Sequence, residues 1–180
     1  MTSKIRQNYH EECKALINKQ INMEFYASYV YLSMSSFFNR DDQALHGFAS
    51  FFNKRSNEER EHGMKLIEYQ TKHGGKVAFQ DIAKPSSSEW STPLQAMEAA
   101  LELEKTVNQS LLDLHKASDG KGDAHLCDFL EAEFLGGKVD GIKEIGDMIT
   151  KIKRAGDGLG LILWTWKLDL KMHPYQYQLN

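Results

Sequence analysis

The sequence predicts an all-α fold: a four-helix bundle with one long crossover connection and a short fifth helix near the C-terminus. Apolar residues recur at steps of three and four along four long segments, which is the period of one helix face. The chain of 180 residues has only 3 prolines, and two of them, Pro85 and Pro93, flank a single segment. Most of the chain therefore lacks the strongest helix breaker, and long helices are permitted.

The first two predicted helices form an antiparallel hairpin. Helix one carries an apolar stripe from about Tyr9 to Phe38 and ends at a short polar run. Helix two covers about Ala44 to His73 and stops at Gly74-Gly75. Glycine at that point can supply the left-handed residue that closes a helix.

The second hairpin follows a long connection, Lys76 to Ser91, which has no helical pattern. Helix three opens at Thr92-Pro93, a cap residue followed by proline at the first helical position. Helix four runs from about Ala124 to Arg154. Each long helix would extend about 40–45 Å at about 1.5 Å per residue. The connection from Lys76 to Ser91 is long enough to span that distance, so it can cross the whole bundle. We expect one domain over residues 1–180, with the bundle at about 9–154, the fifth helix at about 159–170 and a tail at 171–180.

Charge and composition exclude several classes of partner. The 22 Lys and Arg against 25 Asp and Glu leave a net charge of −3, with no basic excess for nucleic acid or an anionic membrane. The longest apolar run near the C-terminus, Leu161 to Trp164, is too short to span a bilayer. Cys13 and Cys127 have neither disulfide-framework nor zinc-ligand spacing, and the N-terminus has no signal-peptide pattern. We expect a cytoplasmic protein.

Polar residues inside the apolar stripes are the strongest functional signal. Glu24 lies on helix one, Glu59 and His62 on helix two, and Glu104 on helix three, each near the middle of its helix. A buried carboxylate is costly unless it is neutralised, hydrogen-bonded or metal-bound. We expect these four side chains to meet at one depth in the bundle.

The chemistry of this set favours a metal. Glu59 and His62 form a Glu-x-x-His, whose spacing places a carboxylate and an imidazole on one helix face. Carboxylate oxygen with imidazole nitrogen suits iron or manganese. Tyr31, two turns beyond Glu24, can hydrogen-bond a metal-bound carboxylate. The alternative is a plain helical protein with buried ion pairs, for instance Glu59 with Arg55.

Several longer runs carry a resemblance to a known family: RQNYH (6–10), QINME (20–24), YASYVYLSM (26–34), EEREH (58–62), LEK (103–105), VNQSLL (107–112) and HLCDFLE (125–131). Through them the chain resembles animal ferritins of the heavy-chain, ferroxidase type from Arg6 to Gly160. The resemblance implies a ferritin-like four-helix bundle that assembles into a twenty-four-subunit cage, alone or mixed with other ferritin subunits. Such a cage oxidises Fe(II) with dioxygen and stores the iron as a ferric mineral.

The resemblance also implies roles for individual residues. Glu24, Glu59 and His62 match the ligands of a first iron; Glu59 bridges to a second iron, which Glu104 binds. Tyr31 matches the tyrosine beside this two-iron site, and no haem site is indicated. Two neighbouring ferrous ions would each give one electron to dioxygen.

Four further acids match residues that handle iron outside the catalytic centre. Glu58 and Glu61 match carboxylates that face the cavity and relay or nucleate iron. Asp128 and Glu131 match acids that line the three-fold channel and attract cations. For these two, a solvated helix face is the alternative interpretation.

Lys138 departs from the family pattern, because it stands where active heavy chains carry a glutamine near the second iron. A protonated lysine has no lone pair to offer a metal. It could swing out to solvent, lose its proton, or pair with a carboxylate such as Glu104 and mimic the charge of an absent iron. We expect a weakened second site and slower oxidation. The alternative function is an impaired storage subunit that relies on slow mineralisation or on active partner subunits.

Overall fold

The computed structural model describes residues 3–156 and 158–172, and this part of the chain contains helices and connections only. The helices are α1 (Glu11–Phe38), α2 (His46–Lys72), α3 (Pro93–Gly120), α4 (Ala124–Leu130), α5 (Gly136–Ala155) and α6 (Leu159–Met172). One π-helical turn, Glu131–Leu135, joins α4 to α5, so that these segments form one continuous rod. The predicted all-α bundle with a short fifth helix is confirmed. The predicted tail from residue 173 onward lies outside the described residues.

The helix ends form where local side chains satisfy the free backbone groups. The Thr92 hydroxyl accepts a hydrogen bond from the backbone N–H of Gln95 at 3.2 Å, and Pro93 opens α3. After α2, Gly74 has a φ of +77°, and its N–H donates to the carbonyl of Thr71. Glycine adopts this left-handed conformation at little cost. Both predicted helix boundaries are confirmed.

The crossover between α2 and α3 runs along α1. The side-chain amides of Asn18 and Asn22 each donate to a crossover carbonyl at 3.1 Å. Further along, the buried indole of Trp90 donates to the hydroxyl of Ser33 at 3.2 Å. The chain thus returns along the whole bundle before α3 begins, as predicted from the length of the connection.

The bundle interior divides into two hydrophobic clusters. One cluster surrounds the stacked rings of Tyr31, Phe38 and Phe52, and the other packs around Leu66 and Leu111. Charged side chains lie between the two clusters, in the middle of the long helices. They are therefore held by packed apolar layers on both sides.

The short helix α6 packs on the beginning of α2. The rings of Phe48 and Trp164 lie 5.2 Å apart, and α2 presents Gly47 to the backbone of Thr165. A Cβ atom at position 47 would overlap the Thr165 carbonyl oxygen. Across the described ranges 3–156 and 158–172, none of the helices has both the length and the apolar character that crossing a bilayer requires.

The Gly47→Ala variant tests this contact. The added methyl group forces α6 away from α2, and we expect a loss of about 1–3 kcal/mol of stability, the usual cost of overpacking. The measurement is the midpoint of thermal unfolding. Gly146→Ala is the control, since a Cβ there meets no atom within 4 Å. Equal midpoints for the two variants would show that α6 does not depend on this close approach.

Candidate metal centre

Four helices each place one charged side chain in a single buried site at the middle of the bundle. Glu24 comes from α1, Glu59 from α2, Glu104 from α3 and Lys138 from α5. None of the four is more than 4% exposed. The structure therefore brings together the three carboxylates expected to meet, and it adds the lysine.

Glu24, Glu59 and His62 form a compact group of possible metal ligands, hereafter the Glu24/Glu59/His62 group. Each offers one ligand atom, and these atoms lie within 4.8 Å of one another. His62 Nδ1 is 3.1 Å from Glu59 Oε2 and 3.9 Å from Glu24 Oε2. Glu24 Oε2 is buried and accepts no hydrogen bond from the described residues. An unpaired buried carboxylate oxygen is costly, and a bound cation would satisfy it.

Neighbouring side chains hold these carboxylates in place. The Gln20 amide donates to Glu24 Oε1 at 2.7 Å, which leaves Oε2 facing the group. The Tyr31 hydroxyl donates to Glu104 Oε1 at 2.6 Å, and this hydrogen bond links α1 to α3. Gln20 was not predicted to take part, although its position one turn before Glu24 is a usable signal. Phe134 covers the ring of His62, with centroids 5.4 Å apart.

Lys138 fills the space between Glu59 and Glu104. Its ammonium group donates to both oxygens of Glu59, at 2.8 and 2.9 Å, and to Glu104 Oε2 at 3.0 Å. Glu24 Oε2 is 3.9 Å away. Among the three arrangements left open by the sequence, the structure adopts the ion pair. The ammonium thus bridges Glu59 and Glu104, the two carboxylates to which the family resemblance assigns a second iron.

The charges around Lys138 perturb each other strongly. Burial favours the neutral amine, yet the nearby carboxylates raise the pKa of Lys138 above its ordinary value. Glu59 is also buried, but hydrogen bonding to His62 and the charge of Lys138 hold its pKa below the usual range. Burial raises the pKa of Glu24 well above its ordinary value. His62 and the ammonium thus favour the ionised form of Glu59, whereas burial favours the protonated form of Glu24.

The alternative ion pair between Glu59 and Arg55 is wrong. Arg55 donates instead to Glu144 at 2.6 Å and to Glu58 at 3.3 Å. Both glutamates are partly exposed, whereas the Arg55 side chain itself is only 14% exposed. The spacing of Arg55 and Glu59 permits contact, but Lys138 occupies the position beside Glu59.

The other four predicted iron-handling acids lie outside the buried site. Glu58 and Glu61 line one open cavity of about 440 Å³ on the surface of α2. Asp128 and Glu131 are exposed and line a separate cavity of about 310 Å³. His115 Nε2 lies 2.7 Å from Glu131 Oε1. Their expected roles in relay and in a channel stay predictions.

A four-helix bundle that holds carboxylates and an imidazole at its centre defines a class of helical metal proteins. Residues 14–155 match the family model described as the ferritin-like domain. The chain belongs to the ferritin family, and it is an iron-storage protein of the animal heavy-chain type.

Three relatives show the extent of the similarity. The chain is 56% identical over 167 residues to a ferritin middle subunit from Aquarana catesbeiana, covering 91% of this chain and 95% of that protein. It is 59% identical over 158 residues to a soma ferritin from Lymnaea stagnalis, and 54% identical to a ferritin heavy chain from Echinococcus granulosus. Each of these two alignments covers 88% of this chain and 91% of the relative.

Removing the buried ammonium tests its structural role. In metal-free protein at neutral pH, Lys138→Met leaves Glu59 and Glu104 facing each other without a cation. Breaking such a buried pair from one side costs about 3 kcal/mol, which thermal unfolding measures. Loss of the ammonium raises the pKa of the buried carboxyl groups in the folded variant, so they take up protons as the pH falls from 8 to 5 and the deficit in stability shrinks.

The matched control is Lys143→Met, on the same helix. Lys143 is largely exposed and pairs with Asp147 at the surface. Exposed pairs contribute little, so this variant should unfold close to the unaltered protein. A Lys138→Met variant as stable as this control at pH 8 would contradict the structural role.

Proposed function

We propose that this storage subunit oxidises Fe(II) with dioxygen, and that the first Fe(II) binds at the Glu24/Glu59/His62 group. The observation that carries the proposal is the unpaired oxygen Glu24 Oε2, which faces Glu59 and His62 inside the bundle. Two carboxylates and one imidazole match the ligand preference of iron. The names of the relatives, which include a heavy chain and a middle subunit, support the same proposal.

The residues around the group prepare it for the ion. Gln20 fixes Glu24 through Oε1, so that Oε2 is available to the metal. Phe134 covers one side of His62, whose side chain is 25% exposed. The ion therefore reaches a site that is already oriented, and little side-chain ordering is required on binding.

Electron counting explains why the second position matters. One Fe(II) gives up one electron when it becomes Fe(III), whereas reduction of dioxygen to peroxide takes two electrons. A pair of iron ions sharing Glu59 would deliver both electrons at once, with Glu104 holding the second ion beside Tyr31. Lys138 stands in that position, so paired oxidation requires the ammonium to leave. We therefore expect two irons per chain at saturation and a slow second step.

The same observation favours a second candidate function. If Lys138 never leaves Glu59 and Glu104, the chain is a storage subunit that mineralises iron slowly or depends on active partner subunits. The three hydrogen bonds of the ammonium, all at 2.8–3.0 Å, support this alternative.

Initial oxidation rates distinguish the two functions. Fe(II) is added aerobically to metal-free protein and early ferric absorbance is followed. Under the first function, the unaltered protein has a measurable early phase of oxidation, and Glu59→Ala abolishes it. Lys138→Gln accelerates this phase by about tenfold or more, because it removes a barrier of about 1.4 kcal/mol. The matched control is Glu102→Gln, an exposed acid two residues before Glu104, which should not change the rate.

Each remaining outcome has a definite meaning. No early phase in the unaltered protein, restored by Lys138→Gln, would establish the impaired subunit. Equal rates for the unaltered protein and Lys138→Gln would show that Lys138 does not obstruct the reaction. Oxidation that survives in Glu59→Ala would overturn the proposed centre.

Assembly and location complete the proposal. We infer a cage of twenty-four copies in the cytoplasm, in which Asp128 and Glu131 line a channel and Glu58 and Glu61 face the interior. The position of both acid pairs on surface cavities supports these roles. Light scattering under native conditions should give a mass of twenty-four 20.6 kDa chains. A dimer or a monomer as the dominant species would contradict the cage.

A further inference from the structure

Lys138 lies beside two positions that have no side chain. Gly137 precedes it directly, and Gly141 follows one turn after Gly137 on α5. A Cβ atom at Gly137 would meet nothing within 4 Å, and the three atoms nearest to one at Gly141 all belong to the guanidinium of Arg55, the nearest at 3.3 Å. Residues four apart lie one above the other on a helix, so the two glycines form a bare strip along α5.

This glycine strip, Gly137 and Gly141, borders an open cavity. Both glycines line a space of about 750 Å³ bounded by α2, α5 and α6. Charged side chains of both signs also line it: the acids Asp140, Glu144 and Asp147, and the bases Arg55, Lys143, Lys151, Lys167 and Lys171. A lysine that left Glu59 and Glu104 by this side would meet solvent, and Glu144 and Asp147 there already pair with basic side chains of the cavity.

Charge counting favours exchange over addition. The carboxylates of Glu24, Glu59 and Glu104 carry three negative charges when ionised, and one Fe(II) with the Lys138 ammonium neutralises them. A second Fe(II) added beside the ammonium would leave the buried site with an excess of two positive charges. If the ammonium leaves, the excess falls to one, and two like charges no longer share the space between Glu59 and Glu104.

We propose that Lys138 is a displaceable occupant of the second iron position, and that it moves across the glycine strip into the cavity when the second divalent cation enters. This inference rests on the proposed function, because it assumes that the Glu24/Glu59/His62 group holds the first ion. Lys138 is then a specificity-determining residue: the centre takes one cation directly and a second only by exchange.

The test follows the exposure of the lysine instead of catalysis. Metal-free assembled protein is titrated anaerobically with Co(II), and the visible absorbance of the ion reports binding. The same titration of Glu59→Ala measures the Co(II) that binds at sites other than the buried centre. At each step a brief pulse of acetic anhydride labels accessible amines, and mass spectrometry measures acetylation of Lys138 relative to exposed Lys143. We expect low labelling with no Co(II) or one per chain, and a rise of about tenfold with two, as the displaced population becomes dominant.

Two matched variants test the route. Gly137→Leu places a side chain in the strip, whereas Gly136→Leu adds the same side chain one residue earlier, at a position that also has no neighbour within 4 Å but does not line the cavity. Gly137→Leu should leave the affinity for the first Co(II) unchanged and weaken the affinity for the second by about tenfold. Lys138 should stay unlabelled, since the state in which Lys138 has left the site is disfavoured. Gly136→Leu should behave like the unaltered protein.

The outcomes separate this inference from the proposed function. Any of three results would overturn the displacement. A second Co(II) could bind while Lys138 stays unlabelled, the centre could saturate at one Co(II), or the two leucine variants could behave identically. If Co(II) binds neither the unaltered protein nor Lys138→Gln above the Glu59→Ala baseline, the metal centre itself is wrong.

Discussion

The buried ammonium of Lys138 is the interaction on which the centre of this bundle depends. Three helices bring carboxylates to one depth, and without a cation their mutual repulsion would oppose the packing of α1, α2 and α3. Lys138 comes from α5, and it binds Glu59 and Glu104 at once. One side chain therefore joins three of the long rods, and it compensates part of the negative charge at the centre of the metal-free chain.

The packing around this centre explains why the charges keep fixed positions. Apolar layers lie on both sides of the charged groups. The ring of Tyr31 packs in one of these layers, and its hydroxyl donates a hydrogen bond to Glu104. Gln20 performs the equivalent function for Glu24. Buried polar atoms normally find partners, and Glu24 Oε2 is one of five in the described residues that have none; Oε1 of the neighbouring Gln20 is another. Under the proposed function, Glu24 Oε2 gains a partner when a cation binds.

Local signals made most of the fold predictable. Thr92-Pro93 and Gly74 define helix ends through contacts within a few residues, and the apolar stripes place Glu24, Glu59 and Glu104 on buried faces before any tertiary distance is known. The partners of Arg55 and Lys138 could not be predicted in the same way. Arg55 is correctly spaced for Glu59 along α2, but its choice of Glu144 depends on the distance between α2 and α5. The π-helical turn at Glu131–Leu135 likewise has no composition that distinguishes it from α-helix.

The effect of a lysine at position 138 follows from the sign of its charge. A neutral amide there would leave the carboxylates to be balanced by two metal ions, so that a centre with one ion would remain negative and attract the next. With an ammonium, one divalent ion already completes the balance, and the attraction for another is lost. Under the proposed function, binding of the first ion and oxidation by a pair of ions thereby become separate events. The lysine that pairs with Glu59 and Glu104 in the metal-free subunit would then make the arrival of the second ion the step that controls its chemistry.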